Sequence, residues 1–259
     1  MKHARFPIAL VLVVALSACG GSGGDFNLIS VEEEWQLGRQ LAADIEKKLR
    51  MNTDPAVNSY VNGLGRRIVA QTSMANMPWT FHVVQDPAIN AFAIPGGHVY
   101  VHTGLIANAD NASELAGVMA HEISHVVARH STEQISRQYG LSILAGIALG
   151  QNPGAIQEIA AQLIAGGALA RFSREAESEA DRLGVGFMAR AGYNPRGMVS
   201  MFQELLEHQR TRPSTVEQFF STHPLTQDRI REVENQIKKL GNPTGADDEP
   251  EFQRIRARV

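Results

Sequence analysis

The sequence predicts a mainly helical α+β domain in which a small sheet lies beside one central helix. Three observations carry that expectation. Apolar residues recur at three- and four-residue spacing between helix-cap signals, and strand-like runs are confined to residues 79–102. The pentad His121-Glu122-Ile123-Ser124-His125 then follows inside a helical pattern.

The elements follow in order. Ser30 with Glu33 makes a capping box, and the acidic run Glu32 to Glu34 suits a helix start, so a helix is expected to about Leu49. Asp54-Pro55 opens a second, with Val57, Tyr60, Val61, Leu64 and Ile68 on its apolar side. Strands are expected at Trp79 to Val84, Asn90 to Ile94 and Val99 to His102, the last two joined by the turn Pro95-Gly96-Gly97. The helix carrying the pentad is expected from Ala112 to Ser131. Residues 141–170, rich in Ala, Gly, Leu and Ile and broken at Asn152-Pro153-Gly154, read as a helical hairpin: ordinary buried helices first, a lid or lipid contact otherwise. Neither half has the roughly 18–20 apolar residues needed to cross a bilayer. Further helices are expected over 172–191, from Asn194-Pro195 to about Arg210, and up to Leu240-Gly241. The polar tail 241–259 is expected to be mobile.

A chain of 259 residues with 44% hydrophobic content can bury a substantial core, and a formal charge of -3 with scattered cations argues against nucleic acid as a partner. Lys2, His3 and Arg5 precede an apolar run, Ile8 to Leu16, too short to span a membrane. Leu16-Ser17-Ala18-Cys19 resembles the lipobox of bacterial lipoproteins, which implies a signal peptide over 1–18 and lipidation of Cys19; an ordinary secretory signal is the alternative. Cys19 is the only cysteine, so no intramolecular disulfide or cysteine metal ligand is available. The glycine-rich stretch within 19–29 reads as a tether, and 30–240 as the folded domain.

Residues four apart on a helix project the same way, so His121 and His125 can share one metal ion with Glu122 beside it as a general base. A catalytic zinc needs a third protein ligand and an open position. Ala128 and Ser131 stand where a longer histidine motif would need Gly and His, and His130 is one position out of phase. A carboxylate from another helix remains. Glu177 and Asp181, four apart, face the same direction: Glu177 can ligate the ion, and Asp181 can accept the free ring N–H of a liganding histidine. Glu175 and Glu179 read as a solvated face. Two imidazoles with one carboxylate favour zinc over other divalent ions.

With these motifs the chain resembles the gluzincin metallopeptidases, and specifically peptidase family M48, the HtpX and CAAX prenyl protease type. The resemblance rests on HEISH, on Glu177 to Asp181 within SREAESEAD, on Asn90-Ala91-Phe92-Ala93-Ile94-Pro95-Gly96-Gly97, and on His223-Pro224-Leu225 followed by Arg229. It implies one Zn2+ per chain and a substrate-binding edge strand at Asn90, Ala91, Phe92 and Ala93, although Phe92 could equally pack in the core. It also implies catalytic roles for His223 and Arg229, the histidine either stabilising the oxyanion or occupying the open metal position at rest. With the lipobox, it implies a zinc endopeptidase anchored to the outer membrane, facing the periplasm and acting on unfolded or misassembled envelope proteins. An assembly factor for outer-membrane proteins with latent proteolysis is the competing reading.

Overall fold

The computed structural model describes residues 27–137, 140 and 171–259. The expected signal peptide, Cys19, the glycine tether up to Phe26 and the apolar hairpin over 141–170 lie outside the described residues. Among those described, no helix is long and apolar enough to cross a membrane.

The architecture is mainly helical α+β. Helix α1 (Val31–Glu46) starts on the Ser30–Glu33 capping box, and α2 (Pro55–Val69) on Asp54, whose carboxylate accepts from the Ala56 and Val57 N–H groups. The predicted apolar stripe of α2 is fully buried at Val57, Val61, Leu64 and Ile68. Each such side chain contributes roughly 1.5–3 kcal/mol relative to exposure. A three-stranded sheet follows in the order β1-β3-β2, with β1 (Thr80–Val84) parallel and β2 (Ala91–Ile94) antiparallel to β3 (His98–His102). The β2–β3 turn works because Gly96 and Gly97 take φ values of 86° and 77°, which side chains resist. Strand β3 is buried on both faces: Val99 and Val101 join the main core, while Tyr100 joins a smaller one under α1.

After a short helix α3 (Thr103–Asn108), α4 (Ala112–Val127) runs through the middle, against α5 (Arg174–Arg190), α6 (Arg196–Thr211), β2 and α2. Small residues allow this. A methyl group at Gly117 would lie 2.8 Å from the Met198 Cα of α6. Helix α4 is buried all round from Ala112 to Val126, the face with His121, Glu122 and His125 included. It is also shorter than the expected 112–131, because Arg129 adopts a left-handed conformation (φ 58°) before the backbone turns helical again over 130–137. That conformation costs roughly 1–2 kcal/mol for a residue with a Cβ. Arg129 Nε donates to Glu34 at 2.7 Å and Nη2 to the Ile29 carbonyl at 2.5 Å, which holds it there.

Short helix α7 (Glu217–Thr222), α8 (Gln227–Lys239) and α9 (Pro250–Arg256) complete the chain. The domain extends past both expected boundaries. Residues 27–29, assigned to the tether, are docked: Asn27 donates to Thr132, the Leu28 N–H to Ser136, and Ile29 is buried. The tail 241–259, expected to be mobile, is also docked. Ala246 bridges Tyr193, the Ser113 N–H donates to the Asp247 carbonyl, and the Ala112 N–H donates to Asp248. The acidic residues thus meet open N–H groups at the start of α4, and Phe252 and Ile255 bury an apolar face. A polar composition hid a complementary surface.

Candidate metal centre

Helix α4 presents His121, Glu122 and His125 within the core, and the helix spacing brings the two Nε2 atoms to 3.1 Å. Helix α5, capped by Ser173, carries Glu177 to the same point: its carboxylate oxygens lie 3.6 Å from His121 Nε2 and 3.3 Å from His125 Nε2. His223, at the C-terminal end of α7, completes a buried group of four whose ligand atoms all lie within 4.8 Å of one another. Lone pairs converging in a space closed to water repel unless a cation lies among them. With Zn–N bonds of about 2.0–2.1 Å, tetrahedral donors sit roughly 3.3 Å apart. The observed spacing and the set of imidazoles with a carboxylate fit such an ion.

The surroundings orient these groups. Asp181, one turn after Glu177, lies 2.8 Å from His121 Nδ1. Arg229 at the start of α8 grips Asp181 with two hydrogen bonds of 2.8 Å, and also donates to Glu177 and to the Pro224 carbonyl. Arg229, expected among the catalytic residues, therefore stands behind the carboxylates with its guanidinium fully engaged. It clamps them rather than facing the reacting position. Burial would raise the Asp181 carboxyl, but Arg229 and then His121 hold it below its ordinary range. Burial likewise opposes ionisation of Glu177, and His223, His125 and His121 together depress it. Burial lowers His125 well below the usual imidazole range, the neutral state a metal ligand needs.

Glu122 faces the other way, toward the sheet. Its Oε2 accepts the Ala93 N–H at 3.1 Å, while Oε1 has no hydrogen-bond partner among the described residues and lies 3.4 Å from His223 Nε2. Burial raises its carboxyl, against the pull of His223 and His121. Among the described residues, strand β2 is an edge of the sheet. The Asn90 carbonyl pairs with the His102 N–H, so the antiparallel alternation turns the Ala91 and Ala93 backbone groups away from β3, on Glu122's side. The Asn90 side chain donates to Gln218 at 3.3 Å, and Phe92 stacks on Tyr100 at 4.8 Å, so its side chain packs.

Two neighbours of the site were not singled out from sequence. Phe172 stacks on His125 with ring centroids 4.0 Å apart, and His130 Nδ1 lies 2.9 Å from His125 Nδ1. Phe172 carried no signal. His130 was visible only as a histidine out of helical phase, and the turn at Arg129 restores the contact.

Comparison with known proteins agrees with this geometry. The peptidase family M48 model matches residues 55–237. The beta-barrel assembly-enhancing protease of Escherichia coli (strain K12) is 31% identical over 251 residues, covering 93% of this chain and 50% of that protein. A putative beta-barrel assembly-enhancing protease of Vibrio cholerae is 34% identical over 223 residues, covering 82% and 45%. The mitochondrial metalloendopeptidase OMA1 of Schizosaccharomyces pombe is 31% identical over 216 residues, covering 81% and 62%. The chain spans about half the length of the bacterial relatives it matches. From the family match across most of the folded domain, the chain belongs to peptidase family M48, a family of metallopeptidases.

Proposed function

We propose that this chain is a zinc metalloendopeptidase that hydrolyses unfolded or misassembled proteins of the cell envelope. The observation that carries the reading is Glu122, held through Oε2 on the edge strand, with Oε1 beside the ligand cluster and unpaired among the described residues. His121, His125 and Glu177 would hold a zinc ion, which when bound would supply Lewis acidity toward a water molecule and a peptide carbonyl. Glu122 Oε1 takes the proton from the attacking water and passes it to the leaving amine. The Ala91 backbone and the Ala93 carbonyl, which are turned away from β3, would pair with an extended substrate, while the Ala93 N–H holds Glu122; such a contact reads main chain and tolerates many side chains. The buried surroundings exclude bulk water from the proton transfer.

Glu122→Gln keeps shape and ligands but removes the base. Cleavage of denatured casein should fall by about 10²–10⁴-fold with zinc content unchanged. Wild-type turnover in this variant would refute the mechanism. The envelope assignment is supported by the lipobox-like residues 16–19 and by the names of the bacterial relatives. It predicts that Cys19→Ser moves the protein from the membrane fraction to the soluble one.

A second reading, an assembly factor with latent proteolysis, is favoured by one observation. His223 Nδ1 lies 2.9 Å from Glu177 and 3.3 Å from His121 Nε2, inside the ligand group. On that reading the purified protein is nearly inert, and His223→Ala raises its casein cleavage. High wild-type activity that drops in His223→Ala would instead support a role in stabilising the reacting carbonyl.

A further inference from the structure

The two metal-facing histidines of α4 have different partners on their far sides. His121 Nδ1 meets a buried carboxylate, Asp181. His125 Nδ1 meets the imidazole of His130 at 2.9 Å, and His130 Nε2 lies 3.5 Å from Glu179 Oε2. His130 is buried, and its ring lies against Phe172, the residue that also stacks on His125. Glu179 sits on α5 one turn before Leu183 with its side chain 46% exposed, so the row of contacts runs from the centre to the surface.

We propose that His130 is a positioning residue that sets the tautomer and ring orientation of His125 for metal binding, with Glu179 orienting His130 in turn. The inference rests on the reading of His121, His125 and Glu177 as a metal site. The proton order follows from valence. A neutral His125 that offers its Nε2 lone pair to a cation carries its proton on Nδ1. The partner 2.9 Å away must accept that proton, so His130 Nδ1 is unprotonated and its own proton sits on Nε2. The group beyond Nε2 must then be an acceptor, and it is the carboxylate of Glu179. Every member of the row has one role, and reversing any of them would place a proton where the metal belongs. The left-handed turn at Arg129 makes this possible, since an uninterrupted helix would carry residue 130 away from residue 125.

The test measures zinc affinity by chelator competition on the full chain, with no turnover involved. His130→Phe keeps the ring volume and removes the acceptor, and should weaken zinc binding about 10–100-fold. His130→Gln, whose amide oxygen can accept the same N–H, should recover most of that loss. A space-filling role would rank Phe at least as high as Gln. Wild-type affinity in His130→Phe, or equal loss in both variants, overturns the proposal. Should His130→Phe fail to fold, Glu179→Ala on the surface decides: a smaller loss of affinity supports the row, and unchanged affinity overturns it. Failure of the metal reading itself would look different, because wild type would then not bind zinc either.

Discussion

Among the arginine–carboxylate contacts of the described residues, two clusters differ most in their surroundings and in what they do. At the centre, Arg229, only 6% exposed, clamps Asp181 and Glu177 in an interior closed to water. At the periphery, Glu249 in the C-terminal segment accepts from Arg67 at 2.7 Å, from Tyr60 at 3.1 Å and from Tyr193 at 3.3 Å, with the Arg67 side chain 49% exposed. The chemical pair is the same in both. Burying a charge carries a large desolvation penalty, so the central cluster contributes geometry more than stability, and removing either sign leaves the other stranded. The peripheral cluster keeps part of its hydration, mainly at Arg67, and fastens the chain end across α2 and the α5–α6 loop. The difference teaches that the same ion pair positions a site when buried and ties down a segment when exposed.

The largest effect should come from Arg229→Met. It strands two buried carboxylates and should lower stability by about 3–5 kcal/mol in chemical denaturation. If it costs no more than a peripheral substitution, the contrast fails. Glu249→Gln should cost about 1–2 kcal/mol, since hydrogen bonds survive but the charge that Arg67 matches is lost. Raising the salt concentration should shrink the Glu249 effect while leaving the Arg229 effect nearly whole, because screening reaches only the exposed pair. Equal salt sensitivity would merge the two classes.

The smallest predicted effect is in acid. Burial would raise the Glu249 carboxyl, but Arg67 and then the two tyrosines hold it below its ordinary value near 4.5. A depressed folded value means the contribution is present above 4.5 and disappears as pH falls through the folded value. Glu249→Gln should therefore flatten the stability curve only in that acid window. An unchanged slope there would show that the peripheral cluster is not ionically held.

Sequence reading went furthest where function and local geometry coincide. HEISH and the spacing of Glu177 and Asp181 are helix-periodic, and the structure brings His121, Glu122, His125, Glu177 and Asp181 to one place. The Pro95-Gly96-Gly97 turn and the caps at Ser30 and Asp54 were legible for the same reason: each is decided within a few residues. The end of α4 was not legible. Nothing in the residue type of Arg129 marks a left-handed turn; its partners Ile29 and Glu34 lie 100 and 95 positions earlier in the chain. The expected mobility of the tail failed similarly, because composition reports how polar a segment is and not what surface it meets.

By itself, the order of residues determined which side chains share a helical face, where most helices begin, and hence the core of a group that could hold a metal ion. Those features depend on backbone periodicity and on hydrogen bonds that close within one turn. Tertiary packing alone decided that Arg229 backs the carboxylates, that His223 enters the ligand group, that His130 reaches His125, and that residues 241–259 are docked. Those contacts join distant segments, and their energies exist only once the surfaces that make them are already in place.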